Sequence, residues 1–499
     1  MIPGPVSILL RTLNLAALMA AGLRAEFLEG RVTDGRAPLE GVRVYPDRSR
    51  RILPAAVPEA RTDPDGRFRL ELEPGDERLV VEKDGWQRDL VPRAEWGQPI
   101  ALSPLEDFRR EPVLLVRVDV PGAPARLSDD DLRAFLFGSE PGRASAATYL
   151  YEVSKGRLRI EEGKLLHVPL TGSSGMPTEA RKQAIAREVM AFLRGSDLRG
   201  LDRVDNRTGA PKPDGKPDHL WIVVPGPPGS VTGEPEHLRP GCLLLRAAGG
   251  RSWPAVFLTE EAPLGNLVHE AFHAMGEHRV DDLYKDCGDP ATAGIWDLMD
   301  AGQYRGWDAH HPDRGPWRGD TGYSPSHPGP WVRTELWYRG RFHDLVRTLR
   351  PASRSWTGWI APIVRAAGSD PQRIVIADPR ARSKFWEFWV ARPWGYEAGR
   401  IGGRWGPGHE GLLVARIDAS LLSRGEPKGP VRILDAQPGT PEPPQPRLPC
   451  DRFELDDAAF NLGTGENPEG RDGALAWEVL DRDDSGRLKV VIRWLKGRR

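Results

Sequence analysis

A chain of 499 residues with 70 lysines and arginines against 71 aspartates and glutamates carries a formal net charge of −1. That balance excludes a protein held to nucleic acid or to an acidic membrane by bulk charge, and neither partner is expected. The length suits two to four domains with sizeable cores. Three cysteines, Cys242, Cys287 and Cys450, are too few for a disulfide framework.

The first 25 residues differ from all that follows. Arg11 precedes an apolar run, Leu13 to Leu23, and then Ala25-Glu26. Such a run is too short to span a bilayer but suits the core of a signal peptide cleaved between Gly22 and Ala25. No cysteine follows the expected cleavage point and no later stretch reaches 18 uninterrupted apolar residues. A secreted protein without a stable membrane anchor is expected.

Residues 26–105 read as a small all-β module. Gly41–Tyr45, Phe68–Leu72 and Arg78–Val81 are rich in strand formers, and Asp63-Pro64-Asp65-Gly66 and Asp84-Gly85 are turn signals between them. Pro104 and the charged segment 106–111 form a linker. From Pro112 the pattern changes. Leu114–Val118 predicts a strand, 149–160 a helix end, glycine turn and strand, and 178–194 an amphipathic helix. Leu220–Val224 is apolar enough to be a strand buried on both faces. A helix over the apolar-periodic segment Leu264–Met275 is therefore expected to pack on a sheet. Residues 280–440 are rich in Gly, Pro and Trp, with short strands between long loops. Eleven tryptophans lie between Trp296 and Trp405; they fit either a ligand groove or core packing. The Pro-rich stretch 437–449 marks a boundary, and the segment 441–499 adds strands around Trp477–Leu480 and Leu488–Ile492.

The chemistry centres on His269-Glu270-Ala271-Phe272-His273, an HExxH pattern. Two histidines four apart on a helix stand about 40° apart in azimuth and about one turn apart in height. They can hold one metal ion from a single face, with Glu270 beside it as general base. Leu264, Leu267, Val268, Ala271, Phe272 and Met275 recur at helical spacing and predict a core-facing stripe, with Gly276 as the helix stop. Cys242 and Cys287 bracket this helix and are a candidate disulfide pair. Catalytic zinc usually takes three protein ligands. Downstream, Asp282, Asp281 and His278 are the candidates for the third.

Two resemblances extend this reading. "PLEGVRVYP" (38–46), "TDPDGRFRLEL" (62–72) and "KDGW" (83–86) resemble the transthyretin-like, carboxypeptidase-regulatory β-sandwich, an accessory module without chemistry of its own. "HEAFHAMG…DDLY" with "GIWDLMDAG" (294–302) resembles the immune inhibitor A-type secreted zinc metallopeptidases of bacteria, which are metzincin-like. "YEVSKGRLRI", "DGKPDHLWIVVPG", "GPWVRTELWY", "EGLLVARID" and "FNLGTGENPEG…WEVLDRDDSGRLKVVI" carry the likeness across roughly residues 110–495. It implies an α+β chain: a zincin catalytic domain over 106–440, completed by 441–499, behind the 26–105 sandwich. It also implies zinc on His269, His273 and Asp282, Met299 in a methionine turn beneath the metal, and Tyr304 as a candidate oxyanion stabiliser. Calcium on Asp205, Asp214 and Asp218 is a further implication. Arg279 departs from the pattern, since the family places its aspartate there; alignment on Asp-Leu-Tyr puts Asp282 in that role three residues later. The expected activity is a monomeric endopeptidase acting on proteins or peptides. The alternatives are a zinc hydrolase of non-peptide substrates, or an extracellular binding or adhesion protein with a structural or inactive site.

Overall fold

The computed structural model describes residues 26–48, 57–171, 178–206, 210–226, 241–246, 252–260, 262–275, 280, 282–283, 292–304, 325–333, 344–350, 354–366, 368–398, 410–421, 430–438, 455, 457–463 and 467–495. Helices and sheets are mixed, with strands predominating. The expected signal peptide, Gly276, Cys287 and Cys450 lie outside the described residues. Among the described residues no helix is long and apolar enough to cross a membrane.

The N-terminal module has seven strands: β1 (Glu26–Thr33), β2 (Arg43–Pro46), β3 (Ala60–Arg61), β4 (Arg67–Leu72), β5 (Arg78–Glu82), β6 (Asp89–Pro92) and β7 (Ile100–Ala101). They form two sheets, ordered β4-β1-β7 and β3-β2-β5-β6. In β4 buried and exposed residues alternate strictly, as expected of a strand with one solvated face. Val32, Val42, Phe68, Leu70, Leu79, Val81 and Leu102 belong to the core between the sheets.

The central unit is a five-stranded sheet built from β8 (Arg109–Asp119), β9 (Leu158–Pro169), β10 (His219–Val224), β11 (Gly241–Arg246) and β12 (Ser252–Thr259). Their order is β11-β12-β10-β8-β9. β12, β10, β8 and β9 run parallel and β11 is the antiparallel edge. Among the described residues four helices accompany the sheet: α1 (Asp129–Phe137), α2 (Ala146–Val153), α3 (Thr178–Leu193) and α4 (Leu264–Met275). Every residue of β10 is buried, because the sheet is covered on both sides. Leu220, Ile222 and Val224 pack with Ile185, Val189 and Met190 of α3. Trp221 and Val223 lie in the opposite core with Leu267, Val268, Ala271 and Phe272 of α4. The expected site helix on a sheet is present, and the sheet's period of two divides the layers.

At the end of α2 the chain reverses through Lys155 (φ 54°) and Gly156 (φ 87°) into β9. A Cβ at Gly156 would sit 2.8 Å from the Trp86 carbonyl of the N-terminal module. Glycine is therefore needed there for both turn and close approach.

The remaining strands are β13 (Val346–Leu349), β14 (Ser355–Ile360), β15 (Arg373–Ala377), β16 (Lys384–Ala391), β17 (Gly411–Asp418), β18 (Val431–Ile433), β19 (Glu469–Asp472), β20 (Leu475–Arg482) and β21 (Leu488–Trp494). They make two sheets, β13-β15-β16-β17-β18 and β14-β21-β20-β19. One core joins Ile374, Phe388 and Val414 of the first sheet to Trp477, Val490 and Ile492 of the second. Residues on either side of the expected boundary near 440 thus share a single core. Lys155 is buried beneath this unit, with Nζ 2.8 Å from Asp344 Oδ1 and 2.7 Å from Gln372 Oε1.

Candidate metal centre

Helix α4 carries the HExxH residues. Its stripe Leu264, Leu267, Val268, Ala271, Phe272 and Met275 is buried as the spacing predicts, which fixes the opposite side of the helix toward the site. His269 is buried and His273 half-buried on that side. Their Nε2 atoms lie 3.1 Å apart. Asp282 Oδ1 completes a triangle, 2.9 Å from His269 Nε2 and 3.3 Å from His273 Nε2. Among the described residues this is the only group of three His, Cys, Asp or Glu side chains spaced to hold a metal ion. Asp281 and His278, the other third-ligand candidates, lie outside the described residues.

Backbone carbonyls orient both imidazoles. His269 Nδ1 donates to the Leu298 carbonyl at 3.0 Å, and His273 Nδ1 donates to the Val280 carbonyl. Each ring therefore turns its Nε2 toward the shared centre. Asp282 is held between two apolar anchors, since Val280 and Leu283 are buried to 0% and 1% exposure. Leu283 N donates to the Met299 carbonyl at 2.9 Å, and Thr292 Oγ1 donates to the Leu283 carbonyl at 2.7 Å. The longer spacing after the helix is thus absorbed by residues that return the chain to the site.

The turn beneath these contacts is braced by two buried carboxylates. Asp297 accepts from Met299 N and Gly329 N, each at 2.9 Å. Asp300 Oδ2 accepts from Ala293 N and Gly294 N. Met299 is fully buried in this turn, one residue beyond the carbonyl that orients His269. Burial, reinforced by the neighbouring Asp300 charge, pushes the Asp297 carboxyl up to about 7 despite its two donors. A short 3-10 turn, Ala301–Tyr304, follows; the Tyr304 side chain is outside the described part.

Charges at the centre are strongly coupled. Burial works against a charged His273, yet the bond to Asp282 and the charges of Glu270 and Asp282 raise it to about 9. Burial likewise favours a neutral Asp282, but hydrogen bonds from both histidines hold it well below the usual carboxylate range. Glu270 is half-buried beside them. Its charge also reaches Cys242 on β11, whose thiol is pushed well up, chiefly by burial.

The other expected site residues lie elsewhere. Asp205, Asp214 and Asp218 are in the loop before β10 and do not form a three-ligand group. Asp214 accepts from Asn206 N and Lys216 N. Asp218 Oδ1 accepts from Arg203 N and Val204 N, whereas its Oδ2 and Asn206 Oδ1 are buried without a hydrogen-bond partner among the described residues. Burial raises Asp218 to about 6. Of the eleven tryptophans, Trp296, Trp331, Trp386, Trp389 and Trp394 are buried, which supports packing for those five.

Sequence reasoning missed three contributors. The carbonyls of Leu298 and Val280 carry no side-chain signature. The β11–β12 hairpin, which flanks α4, was signalled by Cys242–Leu245 and Trp253–Leu258 on either side of Ala-Ala-Gly-Gly. Neither models of protein families nor curated proteins give a match to this chain.

Proposed function

We propose that the protein is a secreted zinc-dependent endopeptidase with a metzincin-like catalytic unit, of the immune inhibitor A type. The observation that carries this reading is the triangle of His269 Nε2, His273 Nε2 and Asp282 Oδ1, with edges of 2.9, 3.1 and 3.3 Å. Four-coordinate zinc with bonds of about 2.0–2.1 Å separates its ligand atoms by roughly 3.3 Å. The side chains fit three corners of such a tetrahedron and leave one corner open. Two imidazoles and a carboxylate also suit zinc better than a hard cation, which prefers oxygen alone.

When bound, zinc supplies a Lewis acid and lowers the pKa of a coordinated water. The chain's residues perform the other tasks. Because Nδ1 of each ring donates to a backbone carbonyl, His269 and His273 keep Nε2 as the atom that would ligate the metal. Glu270 takes a proton from the attacking water and returns it to the leaving amine. Among the described residues β11 is an edge strand beside α4 and would offer backbone groups to an extended chain, which favours a peptide over a compact ester. The Leu13–Leu23 run supports export, and the β-sandwich likeness supports an accessory role for the N-terminal module.

The test is zinc content together with casein hydrolysis, for wild type and Glu270→Gln in parallel. Near-stoichiometric zinc is expected in both, with hydrolysis reduced about 10²–10⁴-fold in the variant. Wild-type turnover by Glu270→Gln rejects the mechanism, and zinc-free wild type rejects the site.

A further inference from the structure

The N-terminal module reaches the metal centre through a continuous series of buried hydrogen bonds. Arg88 precedes β6 and is 3% exposed. Its Nη2 donates to Glu152 Oε2 of α2 at 2.8 Å. Glu152 Oε1 accepts from His327 Nε2 at 3.1 Å and from Tyr396 N at 2.6 Å. The His327 carbonyl accepts from Leu298 N at 3.2 Å. The Leu298 carbonyl then accepts from His269 Nδ1 at 3.0 Å. Glu152 and His327 are each 2% exposed, so water does not replace a bond that is lost.

We propose that Arg88 is a positioning residue for the HExxH centre, acting through Glu152, His327 and the Leu298 carbonyl. The proposal rests on the metal-centre reading above, and it gives the accessory module a part in the chemistry. Glu152 is the junction. Its carboxylate is shared by the N-terminal module, the C-terminal β unit through Tyr396, and the segment that supports Leu298. Without Arg88 the buried Glu152 carboxylate loses a cationic partner, a change that favours rearrangement or proton uptake. Either response alters its bond to His327 and shifts the carbonyl that sets the tautomer and angle of His269. Groups that orient a metal-bound histidine typically change metal affinity about 10–100-fold when removed.

A second module contact supplies the control. Arg365 pairs with Asp89 and Glu95 of the module through four hydrogen bonds but has no place in this series. Zinc affinity is measured on the full chain by competition with a chromophoric chelator, with thermal unfolding in parallel. Arg88→Met is expected to bind zinc at least about tenfold more weakly, with partial recovery in Arg88→Lys. Arg365→Met is expected to unfold at lower temperature yet bind zinc within about twofold of wild type. Should Arg88→Met fail to fold, Glu152→Gln keeps the shape and removes the charge, and it too is expected to weaken binding. Wild-type affinity in the folded variant used overturns the proposal. So does an equal loss in Arg365→Met, which would make docking in general the cause. Wild type that binds no zinc overturns the metal-centre reading itself, a separate result.

Discussion

Replacement of Gly265 by alanine should damage both stability and turnover, although alanine is the better helix former. Gly265 is the second residue of α4. A Cβ built there lies 1.8 Å from the Gln303 carbonyl oxygen and 2.8 Å from its carbon, where real contacts stay beyond 3.0 Å. The helix and the 3-10 turn after Met299 must then separate by 1.2 Å, the shortfall in the closest contact. Alanine gains about 1 kcal/mol in a helix interior and less at an end. Overpacking against backbone that cannot change rotamer costs about 1–3 kcal/mol. The clash wins, with a net loss on the order of 1–2 kcal/mol. The displaced element carries His269 against Leu298, and misplacement by about 1 Å in a catalytic site costs roughly 10²-fold in rate. Urea unfolding gives the stability change, and casein hydrolysis with measured zinc content gives the rate. A variant with the wild-type urea midpoint and full turnover would refute the reasoning.

Further predictions bear on the proposed metal centre and on the loop before β10. Asp282→Ala should lower zinc affinity by at least about 100-fold, whereas Asp281→Ala and His278→Ala should stay within about twofold; chelator competition ranks the three, and the opposite order moves the third ligand elsewhere. Asp218 has its folded pKa raised from 3.8 to about 6, so its contribution to stability is lost as pH rises from about 4 to about 6. That shift corresponds to at most about 3 kcal/mol. Asp218→Asn should therefore gain in Tm relative to wild type across that window in chelator, and parallel Tm-against-pH curves would contradict this. If the loop takes calcium, as its orphaned Asp218 Oδ2 and Asn206 Oδ1 suit, added calcium should narrow the gap at pH 7. A wild-type Tm indifferent to calcium argues against that ligand.

The legible parts of this protein were those whose physics is local. The HExxH spacing placed two histidines on one helical face, and the apolar stripe of α4 marked the side it buries. Leu220–Val224 announced a covered strand by composition alone. Asp282 was legible only through its Asp-Leu-Tyr context, since no spacing rule explains a loop that returns by way of Val280 and Leu283. Contacts between distant backbone segments left no trace. Gly265 against Gln303 looks in sequence like any glycine near a helix start, and Glu152 and His327 are 175 positions apart. Such pairs follow from how distant segments meet in the fold, which no short pattern encodes.

The pairing of β14 with β21 has a consequence for biosynthesis. Ser355–Ile360 is hydrogen-bonded to Leu488–Arg493, and the residues between them include most of the neighbouring sheet. That sheet therefore cannot close until Leu488–Arg493 has left the ribosome. The core it shares with β15–β17 waits with it, exposing Trp477 and its partners meanwhile. Non-local pairing of this kind folds slowly and invites aggregation.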